Sequence, residues 1–176
     1  MGGSRTYALC LQKRCTTKYL GSKGLRLLPG IRMIIKEHLA REEEVGLHQR
    51  ETYDRFRASV ERSRDELVRL LREIHGQGKR VVGYAATSKS TTVINYCRIT
   101  PDLVEYISDT TPIKQGKFSP GAHIPIRPYE EFKARYPDYA LLFGWNHAEE
   151  IMAKEQAFKV AGGKWIVYVP RVQVLE

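Results

Sequence analysis

The sequence predicts an α/β fold in which a parallel β-sheet carries helices on both faces and follows a helical N-terminal extension. Three observations predict this fold. Short apolar runs alternate with helical patterns after Gly78, the run over residues 139–145 is almost uniformly apolar, and a long amphipathic pattern precedes them. A uniformly apolar run is typical of a central parallel strand that is covered on both faces. Alternating strands and helices imply right-handed crossovers, which collect the carboxyl ends of the strands at one edge of the sheet.

Two helices are predicted before Gly78. Over residues 51–74 the apolar side chains recur at helical spacing between charged ones, and Gly76 and Gly78 suit the end of that helix because glycine adopts the left-handed conformation. A weaker pattern over residues 32–44 predicts a shorter helix. The side chains expected to face inward on the longer helix are Phe56, Val60, Leu67, Leu70, Leu71 and Ile74, and those on the shorter one are Ile34, Ile35 and Leu39.

The rest of the chain is predicted to alternate. Strands are expected over residues 80–85, 104–108, 139–145 and 164–170, and helices over residues 91–97 and 148–159. Ligands of such sheets bind at the carboxyl ends of the strands. The loops over residues 84–90, 109–124 and 145–147 are therefore expected to be neighbours in space.

Composition and cysteine usage narrow the class of protein. The chain has 176 residues, a net charge of +9 and no apolar run near the roughly 20 residues that a membrane helix needs. The cysteines Cys10, Cys15 and Cys97 are odd in number and lack CxxC spacing, which predicts reduced thiols in a cytoplasmic protein. The histidines have no recognised ligand spacing, and no nucleophile elbow or Ser-His-Asp arrangement is present. We therefore predict no metal and no catalytic residue in this chain.

The N-terminal segment is strongly basic, because every charged residue before Glu37 is positive. Such a segment suits nucleic acid, anionic lipid or a phosphorylated ligand, or an amphipathic targeting sequence. A solvated surface is the alternative. The start of the chain also fits the loose M-G-x-x-x-[ST] myristoylation pattern. The basic residues are Arg5, Lys13, Arg14, Lys18, Lys23, Arg26, Arg32 and Lys36.

The stretch GYAATSKSTTVINY, residues 83–96, differs from a nucleotide-binding P-loop by one residue, since Ser88 stands where the second glycine is needed. Glycine is required there because the backbone must wrap closely around the phosphates, so we do not expect hydrolysis of nucleoside triphosphates. A strand, a turn and a helix N-terminus with Ser88, Lys89, Ser90 and Thr91 still suit an anion. The alternative is that Ser88 or Ser90 only caps the helix.

Asp109 ends a predicted strand at about the position where a dinucleotide-binding fold places its ribose-binding carboxylate. Residues 83–88 do not match G-x-G-x-x-G, so NAD and FAD are not expected. Asp109 is a candidate ligand contact or a turn residue. Asn146 and Trp145, at the end of another predicted strand, are candidate ligand contacts, or a helix cap and a packing residue.

The long loop over residues 112–127 is a further candidate, because loops of this length in compact domains are usually functional or disordered. Lys114, Lys117 and Arg127 suit a phosphate, while Ser119 and His123 suit hydrogen bonds to a sugar or base. A proline-stiffened connector is the alternative.

Four separated segments carry a family resemblance: GYAATSKSTTVINYC, YISDTTPIKQGKFSPGAHIPIRP, DYALLFGWNHAEEI and GGKWIVYVP. Together they resemble the C-terminal domain of the S-adenosylmethionine-dependent C-methyltransferases that act on nucleotide-linked deoxysugars. The resemblance covers about residues 51–174 and implies a Rossmann-like fold. The family usually has glycine where this chain has Ala85.

The resemblance also implies how the chain is organised. Family members have a zinc-binding domain, a central S-adenosylmethionine-binding domain and this C-terminal domain, with the sugar nucleotide between the last two. By that similarity residues 1–45, which begin with a G-G-S sequence, are expected to be the end of the methyltransferase domain plus a linker helix, and residues 46–176 the C-terminal domain. The zinc-binding cysteines, the cofactor loop and the catalytic acid/base residues are expected upstream. The cofactor is therefore not expected to bind this chain.

Three functions follow as hypotheses. The leading one is a domain that binds the nucleotide-linked sugar and is inactive alone, with Ser88, Lys89, Ser90, Thr91, Asp109, Lys114, Lys117, His123 and Asn146 as its binding residues. The second is a component that complements a separately encoded methyltransferase half, so that a methyltransferase catalytic domain is a partner. The third, a nucleic-acid-binding module that uses the basic N-terminus, is disfavoured because the basic residues are not interleaved with stacking aromatics.

Overall fold

The structure is a computed structural model that describes residues 29–176. Its chain divides into two compact units, one that ends at Ala58 and one that comprises Ser59–Glu176. The predictions for the basic residues up to Arg26, the G-G-S sequence, Cys10 and Cys15 lie outside the described residues. The domain boundary expected after residue 45 stays a prediction.

Two helices open the described chain, α1 (Pro29–Glu44) and α2 (Arg50–Gly76). The expectation that Ile34 and Leu39 of α1 face inward is wrong, since they are 55% and 37% exposed, and only Ile35 is half-buried. A helical pattern buries its stripe only where another element covers it.

Helix α2 is confirmed, but its apolar stripe divides into two parts. Leu67, Leu71 and Ile74 are buried in the core, whereas Phe56 and Val60 are exposed, contrary to the sequence expectation. Periodicity predicts the face of a helix and not how far along its length a partner reaches. The half of α2 that follows Ser59 therefore anchors the helix to the sheet.

Six strands form one sheet in the order β3-β2-β1-β4-β5-β6. All neighbouring pairs are parallel except the edge strand β6, which runs antiparallel to β5. This order is that of the doubly wound dinucleotide-binding fold. The predicted α/β class is confirmed, and an antiparallel edge strand is a common addition to such sheets. The strands are β1 (Val81–Tyr84), β2 (Ile107–Asp109), β3 (Ile126–Pro128), β4 (Tyr139–Leu142), β5 (Lys164–Val167) and β6 (Gln173–Leu175).

Both faces of the sheet are covered. On one face Val81 and Ile107 pack with α2 and with α3 (Ser88–Cys97), and on the other Val82 and Ala140 pack with the remaining helices. Those helices are α4 (Tyr129–Ala134), α5 (Ala148–Lys154) and α6 (Gln156–Val160). Burial on both faces explains why the central strands have no alternating pattern in the sequence.

Several predicted boundaries change. The strand expected over residues 104–108 is β2, which begins only at Ile107, and the strand expected over residues 164–170 is β5, which ends at Val167. The helix expected over residues 148–159 is interrupted at Glu155, whose side chain is buried between α5 and α6. Strand β4 ends at Leu142, because Gly144 and a 3₁₀ turn, Trp145–His147, begin the connection to α5. The connection therefore carries Trp145 and Asn146 to the carboxyl edge of the sheet.

No helix among residues 29–176 combines the length and the apolarity needed to cross a bilayer.

Candidate functional site

The strand order reverses between β1 and β4, and the carboxyl ends of these two strands form the crevice where doubly wound sheets bind ligands. Lys89 and Asn146 meet there from two different connections. The Lys89 Nζ donates a hydrogen bond of 2.6 Å to the Asn146 Oδ1 and lies 5.3 Å from the centroid of the Trp145 ring. The structure thus brings together an ammonium group, an amide and an aromatic face that the sequence separates by 57 residues.

A capping box begins α3. Thr87 Oγ1 accepts a hydrogen bond from the Ser90 N–H at 3.2 Å, and Ser90 Oγ accepts one from the Thr87 N–H at 3.0 Å. Ser90 Oγ also donates to the Thr87 carbonyl at 2.6 Å and is buried, so its hydroxyl serves the helix cap. Ser88 is exposed and Thr91 half-buried at the same helix start. The positive end of the helix dipole therefore faces the crevice beside Lys89.

The turn between β1 and α3 is fastened by Asp109 from the end of β2. One carboxylate oxygen, Oδ2, accepts hydrogen bonds from the Ala86 N–H at 2.7 Å and from the Lys114 Nζ at 3.2 Å. The Lys114 Nζ also donates to the Ala86 carbonyl at 2.7 Å, and the Thr111 N–H donates to Oδ1 at 2.8 Å. The Asp109–Lys114 pair therefore holds the backbone of the turn from both sides.

This turn has an unusual backbone. Ala85 has a φ of 70°, in the left-handed region that glycine adopts at no steric cost and alanine rarely adopts. The family resemblance puts glycine at this position, and the dihedral angle supplies the physical reason. The strain is retained next to the candidate crevice, where such strain tends to be found.

The pKa of Asp109 is lowered. Burial alone raises this pKa, but the hydrogen bonds from Thr111, Lys114 and Ala86 outweigh burial because they stabilise the charged carboxylate. The carboxylate is therefore ionised at neutral pH and able to hold the turn.

Lys117 and His123 are not brought to the Lys89–Asn146 contact. His123 is exposed and lies in a tight turn, where its N–H donates to the Ser119 carbonyl and the Ser119 hydroxyl accepts from the Ile124 N–H. The Asn95 amide ties this turn, through a hydrogen bond of 3.0 Å to the Pro120 carbonyl, to the far half of α3. Within residues 29–176 the side chains of Lys117 and His123 make no hydrogen bond or ion pair. Their binding roles stay predictions.

Sequence reasoning missed a buried polar cluster on the other side of the turn. The hydroxyls of Tyr84 and Tyr129 both donate to the Glu155 carboxylate at 2.8 Å, and Glu155 is only 2% exposed. Burial and the neighbouring carboxylate raise the pKa of both tyrosines, so their hydroxyls stay protonated. Glu155 lies in a charged helical pattern, which is why no signal in the sequence distinguishes it from an exposed glutamate.

Other reactive groups are accounted for. Burial raises the pKa of the Cys97 thiol to about 11, which leaves it protonated and unreactive at neutral pH. The described part of the chain contains no group of three or more histidine, cysteine, aspartate or glutamate side chains suited to a metal ion.

The fold and the polar crevice at its carboxyl edge define a Rossmann-like α/β domain of the kind that binds ligands at a strand-order reversal. Residues 30–170 match the family model of the C-methyltransferase C-terminal domain, and the chain belongs to that family. It is 37% identical over 145 residues to the C-methyltransferase NovU of Streptomyces niveus. The aligned part is 82% of this chain and 34% of the relative, so the chain spans about a third of the length of the curated relative that it matches. The chain corresponds to part of a methyltransferase.

Proposed function

We propose that this domain binds the nucleotide-linked sugar substrate of a C-methyltransferase and transfers no methyl group alone. The observation that supports this proposal best is the contact between Lys89 and Asn146 across the β1–β4 crevice. It places a positive charge at a helix N-terminus, which is where nucleotide-binding α/β folds hold phosphate. A neutral amide, rather than a carboxylate, accompanies the lysine, so its charge is available to an anion.

Seven of the nine predicted binding residues have a role in this proposal, whereas Lys117 and His123 have none. The Lys89 ammonium forms a charge-assisted hydrogen bond with a phosphate oxygen, and Asn146 orients the ammonium. Ser88 and Thr91 offer hydroxyls at the same helix start. Asp109 and Lys114 keep the turn in the conformation that admits the phosphate, and Ser90 caps the helix. Trp145 offers an aromatic face to the ligand.

We assign S-adenosylmethionine binding and the methyl transfer to a different domain. The chain spans about a third of a relative named as a C-methyltransferase, and the family resemblance implies that the cofactor domain precedes this one. The proposed task of the present domain is to hold the substrate, in the cytoplasm.

Isothermal titration of the full chain tests this function. Thymidine diphosphate glucose and uridine diphosphate glucose are the sugar-nucleotide probes, and S-adenosylmethionine is the third titrant. We expect a saturable heat with a sugar nucleotide, a raised melting temperature at the same concentration and a flat titration with the cofactor. A saturable heat with S-adenosylmethionine in the micromolar range would contradict the division of labour. No heat and no thermal shift with either sugar nucleotide at millimolar concentration would contradict the substrate role.

A second function is favoured by the apolar surface of the first unit. Met33, Tyr53 and Phe56 are 64%, 53% and 68% exposed on α1 and the start of α2. Exposed apolar patches mark protein interaction sites, which suits a component that complements a separately encoded methyltransferase half. Sedimentation of the chain with the N-terminal two thirds of the Streptomyces niveus relative tests this function. A complex that Phe56→Ser weakens is expected, and two independent sedimenting species would contradict it.

The nucleic-acid hypothesis depends on the eight basic residues from Arg5 to Lys36, six of which lie outside the described residues. No observation on the described residues favours it.

A further inference from the structure

A cavity of about 210 Å³ lies beside the crevice, between the carboxyl ends of β1 and β2 and the helix α5. We propose that it holds one neutral, hydroxyl-bearing ring of the nucleotide-linked ligand. This inference rests on the proposed function and assigns to the ring a set of residues separate from the phosphate contacts. The residues that carry it are Tyr84, Ala85, Ser108, Tyr129, Glu150 and Lys154.

Ser108 provides the first observation. It lines the cavity, is only 1% exposed, and its Oγ has no hydrogen-bond partner within residues 29–176. Its neighbour Ile107 packs on the α2–α3 face, so strand alternation puts Ser108 on the opposite face, the face of Tyr84. A buried hydroxyl without a partner is costly, and a ligand group that pairs with it removes that cost.

Two tyrosines provide the second observation. The hydroxyls of Tyr84 and Tyr129 both donate their hydrogen to the Glu155 carboxylate. Each phenol oxygen can therefore still accept a hydrogen bond from a ligand. Glu155 is buried and forms no ion pair among the described residues, so its carboxylate is held by these hydrogen bonds. The two hydroxyls that donate them are therefore held in fixed positions. The wall of the cavity therefore presents hydrogen-bond acceptors to a group that carries O–H or N–H donors.

Charge and size decide which part of the ligand fits. Glu150 and Asp109 line the cavity and Glu155 lies just behind it, whereas Lys154 is the positive residue of the lining. Asp109 is paired with Lys114. Glu150, Lys154 and the buried Glu155 therefore leave a net negative charge, which disfavours a phosphate and favours a neutral donor group. The volume is smaller than the roughly 300–1,000 Å³ of pockets that hold a whole drug-sized ligand, so one ring fits.

Ala85 connects the cavity to the crevice. It lines the cavity, and its Cβ lies 3.6 Å from the position that a Cβ on Gly144 would take, at the end of β4. A ligand with its phosphate at Lys89 can therefore place an adjoining ring on the far side of the Ala85 turn. The ring is either the sugar of the nucleoside or the nucleotide-linked hexose, which share this hydroxyl chemistry.

The test compares two substitutions that each remove a buried hydroxyl without a hydrogen-bond partner in the described part of the chain. Ser108→Ala acts in the cavity, whereas Tyr168→Phe acts on the opposite face of the sheet, in the core beside Phe143. We expect neither variant to melt earlier than the wild type, because neither loses a hydrogen bond. We expect Ser108→Ala alone to weaken binding of uridine or thymidine diphosphate glucose, by about 3- to 10-fold.

Titrations with two different ligands identify the ring that occupies the cavity. If the cavity holds the nucleoside sugar, Ser108→Ala weakens binding of the nucleoside diphosphate and of the diphosphate glucose equally. If the cavity holds the hexose, Ser108→Ala weakens binding of the diphosphate glucose alone. Tyr129→Phe, at the half-buried rim, is measured in the same way and keeps the test valid if Ser108→Ala does not fold. Wild-type affinity in both cavity variants, with weakened binding in Lys89→Ala, would overturn this inference and leave the proposed function standing. Absence of binding to the wild type would overturn both.

Discussion

The Asp109 carboxylate accepts a hydrogen bond of 2.7 Å from the backbone N–H of Ala86, so the end of β2 holds the turn that follows β1. The same oxygen accepts from Lys114, which in turn donates to the carbonyl of Ala86. The candidate phosphate site is therefore shaped by an ion pair between the buried carboxylate of Asp109 and the half-buried Lys114.

Asp109→Asn is expected to destabilise the domain by about 1–3 kcal/mol at pH 7, because the neutral amide loses the charge-assisted bonds to Ala86 and Lys114. Urea unfolding of both proteins measures the difference. Thr110→Ala, the exposed neighbour of Asp109, is the matched control and is expected to be neutral. Equal unfolding midpoints for wild type and Asp109→Asn would contradict the structural role of the carboxylate.

The same substitution predicts a pH dependence. The folded pKa of Asp109 is lowered, so its stabilisation is fully present above the unfolded pKa of about 3.9 and is lost as the pH falls through the folded value. The stability difference between wild type and Asp109→Asn is therefore expected to shrink as the pH falls from about 5 to about 3. Urea unfolding across this range measures it. A constant difference would show that the pKa is not lowered.

Lys89→Ala is expected to weaken binding of a sugar nucleotide by about one to two decades, because one charge-assisted contact is lost. Lys79→Ala is the matched control, since Lys79 also lies over an aromatic ring, that of Tyr139, but precedes β1 at the opposite edge. Isothermal titration gives the affinities and thermal melting the stabilities. A lower melting temperature with unchanged affinity would show that Lys89 stabilises the fold and does not bind the ligand.

Ser90→Ala is expected to cost about 1 kcal/mol of stability, because the Ser90 hydroxyl no longer accepts from the Thr87 N–H or donates to the Thr87 carbonyl. Ser88→Ala, at the exposed first residue of α3, is the control and is expected to leave stability unchanged. Thermal unfolding followed by circular dichroism measures both. A loss of ligand affinity in Ser90→Ala without loss of stability would assign Ser90 to the ligand instead.

Gly83→Ala is expected to destabilise the domain by about 1–3 kcal/mol or more through overpacking. A Cβ at Gly83 would lie 2.7 Å from the Phe143 ring and 3.1 Å from Ile107, both buried. Gly76→Ala is the contrasting variant, since no atom lies within 4 Å of the added Cβ and the position ends a helix. Chemical denaturation should show a loss for Gly83→Ala and none for Gly76→Ala. Equal midpoints would contradict the close packing of β1.

Ala85→Gly is expected to stabilise the domain by up to about 1 kcal/mol, because glycine adopts a φ of 70° without steric cost. Thermal melting measures the change. The gain is reduced by the greater freedom of glycine in the unfolded chain. A clear loss of stability would show that the Ala85 side chain contributes more by packing than its backbone costs.

The extent to which the sequence predicted the fold differs between elements. The uniformly apolar segment that contains β4 and the glycine-terminated pattern of α2 were sufficient to predict both elements, because burial on two faces and helical periodicity leave local signals. The inward orientation of Ile34 was predicted wrongly, since a local pattern contains no information about whether a partner covers it. The burial of Glu155 left no signal, because its partners Tyr84 and Tyr129 lie 71 and 26 residues away in the chain.

The sequence by itself determined the α/β class, the family resemblance and the position of a helix N-terminus with Lys89, since these depend on residue order alone. Only the tertiary structure decided which candidates meet. It joined Lys89 to Asn146, turned Asp109 towards the backbone of Ala86, and left the buried hydroxyl of Ser108 without a hydrogen-bond partner among residues 29–176. The physical reason is that these contacts form across parallel strands, whose register is set by packing between residues distant in the chain.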